Sequence, residues 1–196
     1  MTSTDTELLN IIDIEATCWD TQPPPGQLSE IIEIGLCVLN LRTLERLERR
    51  SIKVRPERSE VSAFCTELTG LTAADVQGGL TFAEACEVLR RDYHADSRAW
   101  ASWGDYDRNQ FRRQCSAAGV RFPFSTRHSN AKQVYAAAHH LPRLGMAQAL
   151  AHAGLSLEGR HHCGEDDAWN IAALVAAMVK AGQWPDLGER NAGERA

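Results

Sequence analysis

The stretch "NIIDIEATCW", residues 10–19, decides the fold because it sets two acids inside an apolar segment. With the residues before it, the run "LLNIIDI" predicts a buried β-strand. Side chains alternate across a strand, so Asp13 and Glu15 share one face and Ile14 takes the other. Two adjacent carboxylates on a core strand repel each other and lose hydration. Either the strand ends in water or beside a basic side chain, or the pair binds a divalent cation, for which carboxylates are suitable hard ligands.

Length and composition indicate one ordinary globular domain. The chain has 196 residues, 43% hydrophobic and 24% charged. We expect residues 1–182 to form a single domain and residues 183–196 to be a frayed C-terminal tail. No apolar run approaches the roughly 18 residues of a membrane span. The first ten residues, "MTSTDTELLN", are polar and acidic, so we expect no signal peptide, no membrane association and a cytoplasmic location.

The cysteines and the net charge narrow the possible functions. Six cysteines are scattered without a CxxC pair, and most lie in apolar patterns, which predicts reduced thiols in the core. The net charge of −5 argues against a broad basic surface for duplex DNA. A small site that draws its positive charge from bound metal remains compatible with this composition.

The order of the predicted elements indicates an α/β fold with a mixed sheet. Residues 30–41 and 46–56 predict two more strands, and the short connections indicate an antiparallel three-strand meander. Thr81 and Glu84 form a capping box that opens a helix. Apolar spacing and glycine stops then predict a short strand at 98–103 and helices at 82–93, 107–119, 144–154 and 166–182. Strands followed by alternating strands and helices are typical of an α/β domain.

A second acidic position lies where the predicted short strand meets a helix. In "ASWGDYDRNQF", Asp105 and Asp107 follow the strand and open the helix. An acid here suits helix capping, because the helix dipole favours negative charge at its N-terminus. Asp107 is therefore either a cap or a metal ligand, and this stretch alone leaves both open.

The third acidic position is "GRHHCGEDDAWNIA", at the start of the last helix. Here Asp166 could cap the helix and Asp167 would lie in its first turn. His162 precedes Asp167 by five positions, on the loop that leads into the helix. A loop histidine is commonly a plain surface residue. One held beside a carboxylate is a good general base, because its ordinary pKa lies near neutrality.

The adjacent "HHC", residues 161–163, raises the alternative of a zinc site. Three consecutive side chains rarely converge on one tetrahedral ion, and no second Cys/His cluster has ligand spacing. The acids outnumber these softer ligands, so the sequence favours Mg²⁺ or Mn²⁺ instead.

Four motifs in order resemble the DEDDh-type 3′→5′ exonucleases of the ribonuclease H-like fold. They are "DIEATCW", "FCTELTGLT", "SWGDYD" and "HCGEDDAWNIA". The chain is particularly similar to the branch of the histone-mRNA and small-RNA 3′ exonucleases and the bacterial KapD-like proteins. The resemblance runs from about residue 8 to residue 181. It departs at Tyr106, where this branch usually has Trp.

The resemblance implies a mixed sheet with helices on both faces and a two-metal site. Two Mg²⁺ or Mn²⁺ ions, with a total charge of +4, would offset four carboxylates. It implies His162 as general base, a single-stranded RNA or DNA 3′ end as substrate and a nucleoside 5′-monophosphate as product. The catalytic and metal-binding acids would be Asp13, Glu15, Asp107 and Asp167.

The resemblance also indicates where the terminal nucleotide would lie. Backbone groups of Ala16 and Thr17 would hold the 3′-OH. Phe64, Leu68 and Tyr106 would form a wall on which the last base stacks, although Phe64 and Leu68 could equally be core residues.

Two other functions stay open at this level. One is a non-catalytic RNA-binding or regulatory protein on the same fold, although such a protein would have no need of His162. The other is a phosphodiesterase restricted to very short oligonucleotides, because substrate length depends on loops. The choice between RNA and DNA turns on contacts to the 2′-OH. The sequence gives no sign of an obligate protein partner.

Overall fold

Five strands form one mixed sheet in the computed structural model, which describes residues 7–185. They are β1 (Leu8–Ala16), β2 (Ile31–Asn40), β3 (Arg46–Lys53), β4 (Ala99–Ser102) and β5 (His128–Asn130). Their order across the sheet is β3-β2-β1-β4-β5. β1, β2 and β3 pair antiparallel, whereas β4 runs parallel to β1 and β5 parallel to β4. The predicted antiparallel meander and mixed sheet are therefore confirmed.

Seven helices surround the sheet in the described part of the chain. They are α1 (Ala63–Thr69), α2 (Ala73–Gln77), α3 (Phe82–Tyr93), α4 (Tyr106–Ala118), α5 (Ala131–His139), α6 (Met146–His152) and α7 (Gly164–Lys180). The four predicted helices correspond to α3, α4, α6 and α7. The capping box of α3 is present, with Thr81 and Glu84 bonded reciprocally. The sequence did not predict α1, α2, α5 or β5, because segments of 3 to 9 residues carry too few periods of an apolar pattern.

Helices cover both faces of the sheet, and each face has its own core. Ile12 and Ile14 of β1 pack in a cluster with Phe82 of α3 and Phe111 of α4. The opposite cluster contains residues of β1, α5, α6 and α7. Alternation along β1 thus sends its even-numbered apolar residues towards α3 and α4 and its odd-numbered ones towards α7.

This alternation fixes where the acids of β1 point. Leu9 and Ile11 lie in the core beneath α7, with Ile171 of that helix. Asp13 and Glu15 continue the same odd-numbered series, so they emerge on the α7 face at the end of the strand. The odd-numbered face of β1 therefore changes from apolar core to paired acids at this end.

The start of α7 lies directly against the backbone of β2. A Cβ atom added to Gly35 would stand 1.9 Å from the carbonyl carbon and oxygen of Gly164. No side chain larger than hydrogen fits between these two backbones. Gly35 is also the cross-strand partner of Asp13, so this contact holds the first turn of α7 beside the acids.

The structure also bears on the predictions of reduced cysteines and of a frayed C-terminal tail. All six cysteines are unpaired, and four of them are buried. Residues 186–196 of the predicted frayed tail lie outside the described residues, whereas Trp184 packs against the core beneath α7. Among residues 7–185, no helix combines the length and apolar character needed to cross a membrane.

Candidate active site

Three carboxylates from two elements converge at the end of β1. One oxygen each from Asp13, Glu15 and Asp167 lie within 4.8 Å of one another. The first two come from the strand, and Asp167 comes from the first turn of α7. The geometry thus unites two of the three acidic positions that the sequence singled out.

Burial, and for Asp13 and Glu15 also the neighbouring carboxylates, disfavour the charged forms in this cluster. Burial, followed by the charges of Asp107 and Glu15, raises the pKa of Asp13 well above its ordinary value. Burial and the charge of Asp167 raise the pKa of Glu15 to about 8. Burial also raises the pKa of Asp167. Carboxylates whose charged form is this disfavoured gain most from a bound cation, so the donor set fits divalent metal ions.

Asp107 reaches the same site from the opposite face of the sheet. Its Oδ1 accepts a hydrogen bond from the backbone N–H of Ile14 at 3.1 Å, directly between the two acids of β1. Burial raises its pKa to about 6, although hydrogen bonds to its charged form oppose the shift. α4 begins at Tyr106 with Asp105 in the N-cap position. Asp107 therefore lies inside the first turn, and the capping alternative does not describe it.

The capping role expected for Asp166 was wrong. α7 begins two residues earlier than predicted, and Cys163 occupies its N-cap without a side-chain hydrogen bond. Asp166 instead accepts from the backbone N–H of Arg160 at 2.7 Å and pairs with the guanidinium of Arg49. Asp166 thereby fixes the loop before α7 and does not cap the N-terminus of the helix.

Glu33 of β2 provides the missing cap, which the sequence did not predict. Its Oε2 accepts from the N–H of Gly164 at 3.0 Å. Its Oε1 accepts from Ser51 Oγ at 2.5 Å and from Lys53 Nζ at 2.7 Å. The signal was available, since Glu33 interrupts an apolar strand as Asp13 does, and the two strands pair Glu33 with Glu15. A fully buried acid in such a strand needs partners, and these are a lysine, a serine and a helix N-terminus.

The two histidines of the preceding loop approach Asp167 in different ways. His161 Nδ1 lies 3.0 Å from Asp167 Oδ2 and 3.2 Å from Oδ1. His162 donates its backbone N–H to Asp167 Oδ2 at 3.0 Å, and its ring stacks on that of His161 with centroids 4.0 Å apart. The five-residue spacing thus predicted the proximity of His162 and Asp167, but the imidazole contact belongs to His161. Burial and then the charge of His161 lower the pKa of His162, which favours the neutral ring that a general base requires.

The residues expected to hold the terminal nucleotide lie at the end of β1, in α1 and at the start of α4. Phe64, Leu68 and Tyr106 are 38%, 36% and 55% exposed, so the core alternative for the first two does not hold. Cys65 Sγ contacts the carbonyl of Ala16 at 3.6 Å, which ties α1 to the strand end. The N–H of Thr17 donates to Glu30 O at 2.8 Å, so a substrate would have to share this donor.

Comparison with known proteins identifies the family. A family model described as Exonuclease matches residues 11–175. The chain is 32% identical to the 3′-5′ exonuclease Snipper of Drosophila melanogaster, over 87% of this chain and 69% of that protein. The chain belongs to the DEDDh exonuclease family. The solved nuclease domain of 3′hExo, a DEDDh family member bound to rAMP, superposes with a TM-score of 0.82 at 30% identity, over 90% of this chain and 93% of that one.

A human relative adds a limit to this comparison. This DEDDh exonuclease is 32% identical to human 3′-5′ exoribonuclease 1 over 88% of its own length, but it spans only 52% of that protein. The chain is accordingly a 3′–5′ exonuclease by family, fold and acidic site.

Proposed function

We propose that this exonuclease removes nucleotides one at a time from the 3′ end of single-stranded nucleic acid and releases nucleoside 5′-monophosphates. The observation that carries the proposal is the convergence of Asp13, Glu15 and Asp167, with Asp107 bonded between the first two. A non-catalytic binding protein has no use for repelling carboxylates with raised pKa values, because each one lowers stability in the absence of metal.

The four carboxylates would hold two divalent cations, Mg²⁺ or Mn²⁺. All of the donors are oxygens, and hard cations of this class prefer oxygen ligands. Such ions lower the pKa of a water molecule and stabilise negative charge on a leaving oxygen. They also give a protein of net charge −5 a local positive site for a phosphodiester.

The chain's own side chains would handle the proton and the terminal nucleotide. His162 accepts the proton of the attacking water, since its pKa is lowered and its backbone is fixed to Asp167. Backbone groups at Ala16 and Thr17 hold the 3′-OH. The exposed rings of Phe64 and Tyr106, with Leu68, offer the apolar surface on which a separated base can stack.

The comparisons support RNA as the first substrate to test. The human relative is named an exoribonuclease, and the solved 3′hExo domain holds rAMP. DNA remains a second substrate to test. A protein tells RNA from DNA by its contacts to the 2′-OH, and these contacts form only when the substrate is bound. We further propose that residues 1–182 act as one domain without an obligate protein partner. The six unpaired cysteines support a reducing compartment such as the cytoplasm.

Digestion of matched single strands tests the proposal. RNA and DNA of one sequence, labelled at the 5′ end and made in lengths from two to thirty nucleotides, are incubated with Mg²⁺, Mn²⁺ or EDTA. We expect a ladder that shrinks from the 3′ side and stops in EDTA. Internal cleavage or undiminished activity in EDTA would contradict the mechanism. Activity on the shortest strands alone would favour the restricted phosphodiesterase, and binding without cleavage would favour the non-catalytic protein.

A further inference from the structure

A second group of possible metal ligands lies beside the four carboxylates and differs from them in chemistry. One ring nitrogen each from His161 and His162 and an oxygen of Asp167 lie within 4.8 Å of one another. Cys163 does not take part, since its sulfur groups instead with Glu165 and Asp166. The zinc alternative raised by "HHC" therefore fails for three consecutive residues, whereas two histidines and a carboxylate from the next helix do come together.

The loop geometry brings these donors together before any ion binds. His161 Nδ1 is already 3.0 Å from Asp167 Oδ2. His162 adopts the left-handed backbone conformation, with φ of +62°, and its N–H is bonded to the same carboxylate. The two imidazoles are nearly parallel, at 16°. The rings are stacked face to face, and a metal binds in the plane of an imidazole, so one ring must turn about its side-chain bonds for both nitrogens to reach one ion.

The donor types select a different metal from the one proposed for catalysis. Two imidazole nitrogens and one carboxylate oxygen suit Zn²⁺, which is commonly held by three protein ligands with a fourth position left for water. Mg²⁺ prefers oxygen donors and keeps much of its own water. The nitrogen pair should therefore discriminate strongly between the two ions.

We propose that His161, His162 and Asp167 form an inhibitory site for Zn²⁺. An ion bound there occupies the imidazole that acts as general base and withdraws Asp167 from the four-carboxylate set. The inhibition rests on the proposed function of His162 and Asp167, whereas the zinc binding rests only on the three donors. Zn²⁺ would then act as a reversible negative effector in the presence of saturating Mg²⁺ or Mn²⁺.

Co²⁺ tests the binding directly, because its visible spectrum reports nitrogen ligation at low coordination number. The probe is Co²⁺ added to metal-free Asp13→Asn protein, in which the all-oxygen site has lost a ligand but the histidine site is intact. We expect an intense visible band that Zn²⁺ abolishes by displacement. A weak spectrum typical of six oxygen ligands would overturn the proposal, and this outcome needs no histidine variant.

Paired histidine variants test the assignment. His161→Asn is compared with His140→Asn, a change at an exposed histidine at the end of α5. In calorimetric titrations we expect His161→Asn to weaken Zn²⁺ binding by at least about tenfold, the lower end of what lost metal-site contacts cost. His140→Asn should bind like wild type. Equal Zn²⁺ affinity in all three proteins would overturn the site.

Inhibition is measured separately, as the Zn²⁺ concentration that halves each protein's own zinc-free rate at saturating Mn²⁺. We expect His161→Asn to need at least about tenfold more Zn²⁺ than wild type. A wild-type enzyme that binds Zn²⁺ at the histidines but is not inhibited would overturn the regulatory role. If no nuclease activity exists at all, the Co²⁺ spectrum still decides the binding site, so the two failures are distinguishable.

Discussion

The end of β1 and the loop before α7 supply groups to one site under different constraints. Asp13 and Glu15 are held by the sheet, where they pair with Gly35 and Glu33 of β2. The histidines lie on a loop with no strand ladder, fixed by single contacts such as that from His162 N–H to Asp167. Changes on the strand should therefore alter the chemistry without moving the backbone. Changes around the start of α7 should alter the geometry of the site.

Replacement of Asp13 tests the strand half of this comparison and should have the largest effect. Asp13→Ala removes a carboxylate that faces Glu15 and Asp167, so activity should fall by at least about 10³-fold, the scale of lost metal-ion stabilisation. Because like charges repel there, the metal-free variant should melt at the same temperature as wild type or higher. The rise in melting temperature on adding Mn²⁺ should shrink.

The control for this variant is Asp20→Ala, which removes an exposed acid outside the cluster. It should retain both the activity and the Mn²⁺ response. An Asp13→Ala protein that is inactive because it is unfolded, as circular dichroism would reveal, would count against the catalytic role.

Replacement of the two histidines tests the part of the site that lies on the loop before α7. His162→Ala should lower kcat by about 10²-fold or more, the loss expected for a general base, whereas His161→Ala should cost no more than about tenfold. Because burial and the charge of His161 lower the pKa of His162, the acidic fall of the wild-type rate should lie at lower pH than for an ordinary histidine. This acidic limb should change in His162→Ala. The two variants differ clearly in what they remove: of the two imidazole rings, only that of His161 is hydrogen-bonded to Asp167.

Metal binding separates the possible outcomes. His162→Ala should still bind Mn²⁺, as measured by calorimetry, because the four carboxylates are intact. Equal losses of kcat from both variants would mean that the two rings share the role. A larger loss from His161→Ala would transfer the general base to that residue.

The sequence could place the residues whose positions follow from local alternation or spacing. Alternation put Asp13 and Glu15 on one face, and the five-residue spacing put His162 near Asp167, as the structure has them. The position of Asp166 was misjudged because the start of α7 is set by Glu33, from a strand 131 residues away in sequence. No local pattern reports such a contact. The same applies to His161, whose ring orientation depends on a loop backbone that spacing does not define.

Packing of α7 on β2 provides a purely geometric test. Gly35→Ala places a methyl group where the Gly164 backbone lies, so α7 must shift or the strand must bend. We expect a loss of about 1–3 kcal/mol in the free energy of unfolding, as for other overpacked sites. Mn²⁺ should also bind more weakly, because Asp167 moves with the helix. Gly78→Ala is the control, since a Cβ there meets nothing within 4 Å. Equal stability in both variants, measured by urea denaturation, would show that the interface tolerates the methyl group.

The stacking wall should give the smallest effect, because it contacts the substrate without taking part in proton transfer or metal binding. Phe64→Ala removes a ring that is 38% exposed on α1, so the free energy of unfolding should fall by about 1–2 kcal/mol from the lost burial. Loss of one stacking contact is worth about 1 kcal/mol or more, which predicts a rise in KM of about fivefold for single strands with little change in kcat. Leu47→Ala, at an exposed apolar residue of β3, should leave KM unchanged. A fall in kcat with constant KM would instead place Phe64 among the groups that orient the reacting phosphate.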